Sequence, residues 1–246
     1  MPQMQIDARD HRNIVVLTGA GISVASGLPT YRGLGGVWDE HNVEEYGHVR
    51  SLQAQPARTW QLFGSMRGPI ASAQPNAAHR SLAEFEARLS PQQNYLLITQ
   101  NVDGLHQRAG SRKVTELHGN ITKTKCTNSD CSLQPFEDQE EYSGQVPHCP
   151  ACGSVLRPDI VLFGESLPPF ASWQAKRALR DCNLFIAIGT SGLVSPAADY
   201  VCSARDAGAR TVYVNLEPLS PPNPAFQESV LGRAEQVLPE LLSRCT

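Results

Sequence analysis

Tyr95-Leu96-Leu97-Ile98 is an apolar run that gives way abruptly to Gln100, Asn101 and Asp103, within the sequence Ile98-Thr99-Gln100-Asn101-Val102-Asp103-Gly104-Leu105-His106. A buried strand that ends in a polar loop is the place where open α/β sheets put their ligands. After a short link, Val114 to Leu117 reads as a second strand, and His118-Gly119-Asn120 follows its C-terminal end. Two strand ends thus deliver amides, a carboxylate and an imidazole. Taken singly, each of these groups is as well explained as a turn cap. Their flanks, which hold a glycine loop and a cysteine knot, favour a joint site.

On the N-terminal side, Asn13-Ile14-Val15-Val16-Leu17-Thr18 is a β-branched run that stops at Gly19-Ala20-Gly21-Ile22-Ser23. It predicts a buried first strand feeding a glycine turn and a helix, where the backbone can approach phosphate oxygens closely. The dinucleotide fingerprint is imperfect, because Val24 stands at its sixth position and the next glycine is Gly27. From Pro29 to about Pro75 the periodicity is poor, as in a loop-rich, partly helical insertion. Asn76 then opens a helix with Leu82, Phe85 and Leu89 on one face and His79 as a structural residue of the first turn.

On the C-terminal side stand Cys126-x4-Cys131 and, seventeen residues on, Cys149-x2-Cys152-Gly153. Two cysteine pairs at this spacing predict one structural Zn2+ held by Cys126, Cys131, Cys149 and Cys152. Four thiolates leave no open coordination position, so the ion holds the fold and does no chemistry. Strand–turn–helix alternation resumes around Val161-Leu162-Phe163-Gly164-Glu165. A helix is predicted for 172–180, a strand at Leu184–Ile188 ending in Gly189-Thr190-Ser191, and a helix for 196–207. A strand at Thr211–Val214 ends in Asn215-Leu216-Glu217, and a last helix lies near 239–244. Repeated units of this kind predict an α/β fold: a Rossmann-like parallel sheet with helices on both faces and right-handed crossovers. Residues 1–33, 76–120 and 158–246 would form it. The helical insertion 34–75 and the zinc module 121–157 would form a smaller zinc-ribbon/helical domain.

The formal net charge is −3 with no basic run, so nothing points to nucleic acid. No segment approaches the ~18 apolar residues of a membrane span, and Met1–Arg12 lacks the apolar core of a signal peptide. The expectation is a cytoplasmic protein with reduced thiols, in which Cys182, Cys202 and Cys245 are ordinary core or surface residues. No heptad pattern stands out, and a monomer is the default.

Gly19-Ala20-Gly21-Ile22-Ser23 with Gly27-Leu28-Pro29-Thr30-Tyr31-Arg32, Gln100-Asn101-Val102-Asp103, Leu117-His118-Gly119-Asn120, the paired cysteines, Phe163-Gly164-Glu165, Gly189-Thr190-Ser191 and Asn215-x-Glu217 together resemble the sirtuins. The motifs stand in family order from about Asn13 to the C-terminus. Sirtuins are NAD-dependent protein-lysine deacylases, and the resemblance implies the following roles. Gly19, Ala20, Gly21 and Ser23 line the diphosphate and ribose side, with Arg32 over the cofactor. Gln100, Asn101 and Asp103 hold the nicotinamide ribose and carboxamide, and Asn101 also counts as catalytic. His118 is the general base. Gly189, Thr190 and Ser191 contact phosphate and ribose, Asn215 and Glu217 the adenosine ribose, and Ala234 belongs to the cofactor site. Val161 and Phe163 wall an acyl-lysine tunnel. The implied partners are acyl-lysine proteins, and the implied products are nicotinamide and O-acyl-ADP-ribose. Imidazole suits the base, since its pKa lies near neutrality.

Sirtuins that remove succinyl or malonyl groups carry a Tyr-x-x-Arg pair. The segment Trp60-Gln61-Leu62-Phe63-Gly64-Ser65-Met66-Arg67 resembles it, with Arg67 as the arginine and Gly64 in place of the tyrosine. This alignment predicts acetyl as the main substrate and a roomier pocket that accepts longer or acidic acyl groups. Arg67 as a solvated surface charge is the alternative. Two other functions use the same motifs: NAD-dependent ADP-ribosyl transfer to protein, and a non-catalytic NAD- or ADP-ribose-binding module.

Overall fold

The computed structural model describes residues 5–30 and 43–243. Its strands are β1 (Asn13–Thr18), β2 (Asn94–Thr99), β3 (Val114–Glu116), β4 (Gly119–Cys126), β5 (Phe136–Glu137), β6 (Leu156–Ile160), β7 (Leu184–Ile188), β8 (Arg210–Asn215) and β9 (Glu228–Leu231). Six of them form one sheet in the order β3-β2-β1-β7-β8-β9, and every pairing in it is parallel. This is the Rossmann order, in which strand succession reverses beside the first strand and opens a crevice there.

The apolar runs form these strands because both faces of the sheet are covered. Ile14, Val16, Leu184, Ile186 and Ile188 pack on one side with Leu82, Phe85 and Leu238. Val15, Leu17, Phe185 and Ala187 pack on the other with Ala175, Leu179 and Val201. Continuous Val/Ile/Leu runs are what a parallel sheet buried on both faces requires. Register then sets the site. Thr18 pairs with Thr99 on one side and with Ile188 on the other, so the loops after β1, β2 and β7 leave the sheet at one level.

A second sheet, β5-β4-β6, is antiparallel, with a register shift in β4 between Asn120 and Thr124. Beside it lie four short helices, Val43–Tyr46, Val49–Ala54, Pro56–Gly64 and Arg67–Ser72. Trp60 is fully buried and donates its indole N–H to the carbonyl of Leu156, at 2.8 Å.

The structure adds β4, β5 and β6, which the sequence reading did not predict, and departs from that reading elsewhere. Ala20–Ser26 is a 3-10 run rather than an α-helix, and Gly27 closes it in the left-handed region. Residues 161–165 form a turn after β6. The predicted helix at 196–207 is a 3-10 turn, Ala197–Asp199, followed by a helix at Tyr200–Asp206. The last helix, Ala234–Leu241, starts five residues before the predicted start and holds Pro239 inside it. β9 was not expected, because its half-exposed, alternating residues make a weak edge-strand signal.

Candidate active site

Two glycine turns meet at the switch point. Gly19 donates its N–H to Ile188 and Gly21 to the carbonyl of Gly189, at 3.0 and 2.9 Å. Gly189 has φ +60°, and a Cβ there would lie 2.5 Å from the nitrogen of Ile22. A side chain at this point would force the β1 and β7 loops apart. Ala20 lies half-buried between Gly19 and Gly21.

Against these turns stands a buried polar cluster. The Asn101 amide donates to the carbonyl of Gly19 and to Ser23 Oγ, at 3.2 and 3.1 Å. Both amide hydrogens are then used, so Oδ1 is left to accept from a ligand. Ser23 in turn donates to Asp103 Oδ2 at 2.7 Å, and Asp103 Oδ1 accepts the N–H of Leu105. Burial raises the Asp103 pKa against the hydrogen bonds from Leu105 and Ser23 that hold the carboxylate ionised. His79 is structural, as expected, and also braces this cluster. The N–H of Asn76 points at its Nδ1, so Nε2 carries the proton and faces Ser23 Oγ at 3.5 Å. Burial takes the His79 pKa down to about 4.

His118 sits half-buried after β3, with Nδ1 2.9 Å from the carbonyl of Gln100. A carbonyl only accepts, so Nδ1 carries the proton and Nε2 presents a bare lone pair. Burial lowers the His118 pKa, opposed by the Gln100 bond, and the ring is neutral at pH 7. The Gln100 amide oxygen accepts from Thr190 Oγ1 at 2.8 Å, which ties the β2 loop to the β7 loop. Asn215 donates to the carbonyl of Thr190 at 3.1 Å, bringing the end of β8 to the same edge. Ser191 and Glu217 are exposed on these loops. Ala234 is buried in the core cluster that also holds Ile22. Arg32 lies outside the described residues.

Val161 donates its N–H to the carbonyl of His118, at 2.8 Å, so the Val161–Glu165 turn is fastened to the imidazole's own residue. Glu165 accepts from the N–H of Leu162 and from both terminal nitrogens of Arg157, which holds the turn that presents Phe163. Burial raises the Glu165 pKa, but the bonds to Arg157 and Leu162 outweigh it and lower the net value. Phe163 is 42% exposed, and its backbone bridges Gly47 and Val49.

The two acyl-pocket assignments fail: Gly64 ends the helix Pro56–Gly64, and Arg67 opens the next one, Arg67–Ser72. Arg67 is 1% exposed and is neither a pocket residue nor a solvated charge. Its guanidinium donates to the carbonyls of Ile121, Glu140 and Lys123 and to Thr124 Oγ1. It pairs with Asp138 at 3.1 Å and lies over the ring of Trp60. No donor is left for a substrate carboxylate. Gly64 leaves no extra space either: a Cβ there would meet the carbonyl oxygen of Glu141 at 2.1 Å. Glycine is required by the backbone of the 141–144 loop passing over the helix.

The sulfurs of Cys126, Cys131, Cys149 and Cys152 all lie within 4.8 Å of one another. The Cys126–Cys152 and Cys131–Cys149 separations are 3.5 and 3.6 Å. Tetrahedral zinc with bonds of about 2.3 Å places its sulfurs about 3.8 Å apart. The donor set and its spacing fit a structural zinc ion.

The Sir2 family model matches residues 19–196. The chain belongs to the Sir2 family. A relative from Aquifex aeolicus named NAD-dependent protein deacylase is 45% identical over 85% of this chain and 85% of its own. The structure of a Sir2 homolog–NAD complex superposes with a TM-score of 0.86 at 35% identity, covering 97% of this chain and 93% of that one. A Sir2–p53 peptide–NAD+ complex superposes at 0.81 with 32% identity, covering 94% and 92%.

In this Sir2-family chain several supporting residues escape a reading by spacing alone. Arg157, which locks Glu165, reads as the last residue of the zinc module 121–157. Thr18 and Thr99 read as ordinary strand residues, yet their hydroxyls meet at 2.9 Å beneath the site. One signal was available: a hydroxyl at the last position of two apolar runs, each followed by a polar loop.

Proposed function

We propose that this chain removes neutral acyl groups, acetyl first, from protein lysines with consumption of NAD. The observation that carries the reading is His118: a neutral imidazole with its free Nε2 at the sheet edge that also holds Asn101 and Asp103. When bound, NAD supplies an electrophilic ribose carbon on loss of nicotinamide. The turns at 19–21 and 189–191 suit its diphosphate, because Gly19, Gly21 and Gly189 bring main chain without a side chain to the crevice. Asn101 offers its free Oδ1, and Gln100 and Asp103 complete the polar wall. Asn215 and Glu217 stand at the adenosine end. The base His118 takes a proton at Nε2 while Nδ1–H stays on the Gln100 carbonyl, which fixes the ring and stabilises the imidazolium. Val161 and Phe163 wall the acyl-lysine entrance. In this reading the six-stranded unit carries NAD. The insertion and the cysteine-bound module close over it, with zinc purely structural.

The choice of acyl group rests on Arg67. With that guanidinium committed to Asp138 and three carbonyls, its segment offers Phe63 and Met66, which pack with Val102, Leu105, Ile121 and Leu162. An apolar wall suits acetyl or longer aliphatic groups and penalises a distal carboxylate by its desolvation. The test is NAD-dependent release of acetyl, succinyl and a longer aliphatic acyl group from one lysine peptide, followed by mass spectrometry of the nucleotide product. Acetyl should fall fastest and succinyl slowest, with O-acetyl-ADP-ribose formed. Efficient succinyl removal would overturn the neutral-pocket reading. ADP-ribosylated protein without deacylation would replace the reading with a transferase.

A further inference from the structure

We propose that His106 is a positioning residue for the deacylation reaction, clamping the loop that carries Asn101 and Asp103 onto the ends of β1 and β2. This rests on the deacylase reading above. His106 is 1% exposed and follows the polar loop in the short helix Leu105–Arg108. Its Nε2 lies 2.9 Å from Thr18 Oγ1. Thr18 Oγ1 donates to Thr99 Oγ1 at 2.9 Å, and Thr99 Oγ1 accepts the backbone N–H of Asn101 at 3.1 Å. The two threonines are register partners at the last position of their strands. The loop is therefore tied at its start by Asn101 to Thr99 and at its end by His106 to Thr18. The paired hydroxyls join the two ties.

One proton per hydroxyl gives the chain a direction. With Thr18 donating to Thr99, Thr18 accepts from the ring, so the His106 proton is on Nε2. The opposite direction would put it on Nδ1, which is buried without a partner. A buried orphan N–H is rarer in folded proteins than an under-used acceptor. Even in the favoured state the bare Nδ1 is a desolvated polar atom. A leucine at this position would fill the space without that cost, so what the imidazole adds is the bond to Thr18. The ring also stands edge-on to His79, 4.9 Å between centroids, and His79 faces Ser23. One side chain thus supports both anchors of Asn101: its backbone through Thr99, and its amide through Ser23.

The test uses His106→Leu, His106→Gln, Thr18→Val and the double variant His106→Leu/Thr18→Val on the zinc-loaded enzyme. His106→Leu should lower kcat about tenfold, the worth of one buried hydrogen bond, with KM for an acetyl-lysine peptide unchanged within about twofold. Thr18→Val, which removes the hydroxyl at nearly constant shape, should do the same. It also serves if His106→Leu does not fold. The double variant should be no slower than the slower single one, because both cut the same tie. His106→Gln, which restores an N–H at the reach of Nε2, should recover most of kcat. Wild-type kcat in His106→Leu, multiplicative losses in the double variant, or no recovery with glutamine would each overturn the clamp. Absence of acyl-lysine turnover in the wild type would overturn the deacylase reading, and this inference with it. The clamp failing alone would leave wild-type turnover intact.

Discussion

Replacing Arg67 with methionine separates two meanings of the same residue. Methionine keeps an unbranched stem and deletes the guanidinium, and with it the cation stacked over Trp60. The loss falls on the carbonyls of Ile121, Glu140 and Lys123, on Thr124 Oγ1, and on Asp138, whose side chain is only 7% exposed. Asp138 keeps bonds from Thr124, Tyr142 and the N–H of Glu140, so its charge is partly compensated. Breaking a buried ion pair from one side costs about 3–5 kcal/mol, and the stranded carbonyls, at about 1 kcal/mol each, reach the same range. Against a typical total of roughly 5–15 kcal/mol this is a large share. For a chain of this size each kcal/mol moves Tm by about 2–4 °C, so Arg67→Met should melt roughly 6–20 °C lower. The assay is a thermal melt by circular dichroism, paired with kcat/KM for acetyl- and succinyl-lysine peptides at a temperature where the variant is folded. The succinyl-to-acetyl ratio should stay within about twofold of wild type. An unchanged Tm together with a selective change in that ratio would refute the reasoning, because it would place the guanidinium in the acyl pocket.

Other outcomes follow from the same geometry. His118→Ala should retain NAD binding by calorimetry and lose about 10²–10⁴-fold in kcat, the range for a general base; near-wild-type kcat would remove it from the mechanism. Because burial lowers the His118 pKa, the acid limb of kcat/KM should lie below pH 6.5, and a limb above that value would contradict the assignment. Stability should also fall on the acid side, starting early. The folded-state pKa of His79 is depressed from 6.5 to about 4, so below pH 6.5 the unfolded chain binds the proton first. The loss from this one group should reach about 2 kcal/mol at pH 5, readable from urea unfolding at pH 7 and 5. A flat profile between these values would show that His79 is not held neutral. Removing zinc with a strong chelator should lower Tm and abolish turnover, with one zinc per chain by elemental analysis before treatment; full activity after complete removal would disprove a structural role.

The four central strands and the polar ends of β1, β2, β7 and β8 were legible because an apolar run buried on both faces has one dominant explanation. The cysteine set was legible because thiolate spacing is fixed by the ion that it must surround. β4 and β6 were not, since Pro158 and a shifted register hide an antiparallel pair. The last helix was misplaced because Pro239 looked like a first-turn proline, while Ala234–Leu241 accommodates it further in.

The sequence by itself determined the parallel sheet, the loops at its C-terminal edge and the cysteine ligands, all of which follow from local composition and spacing. Tertiary structure alone decided which way individual side chains face. Gly64 ends one short helix and Arg67 opens the next. Each helical residue points about 100° from the last, so the reading that put Arg67 toward an acyl group and gave Gly64 open space depended on a direction that spacing does not fix. Asp138, Glu141 and the β4 carbonyls, about 55 to 75 residues further along the chain, claim Arg67 and Gly64. Likewise, Thr18, Thr99 and His106 become one buried chain of hydrogen bonds only because β1 and β2 pair in register.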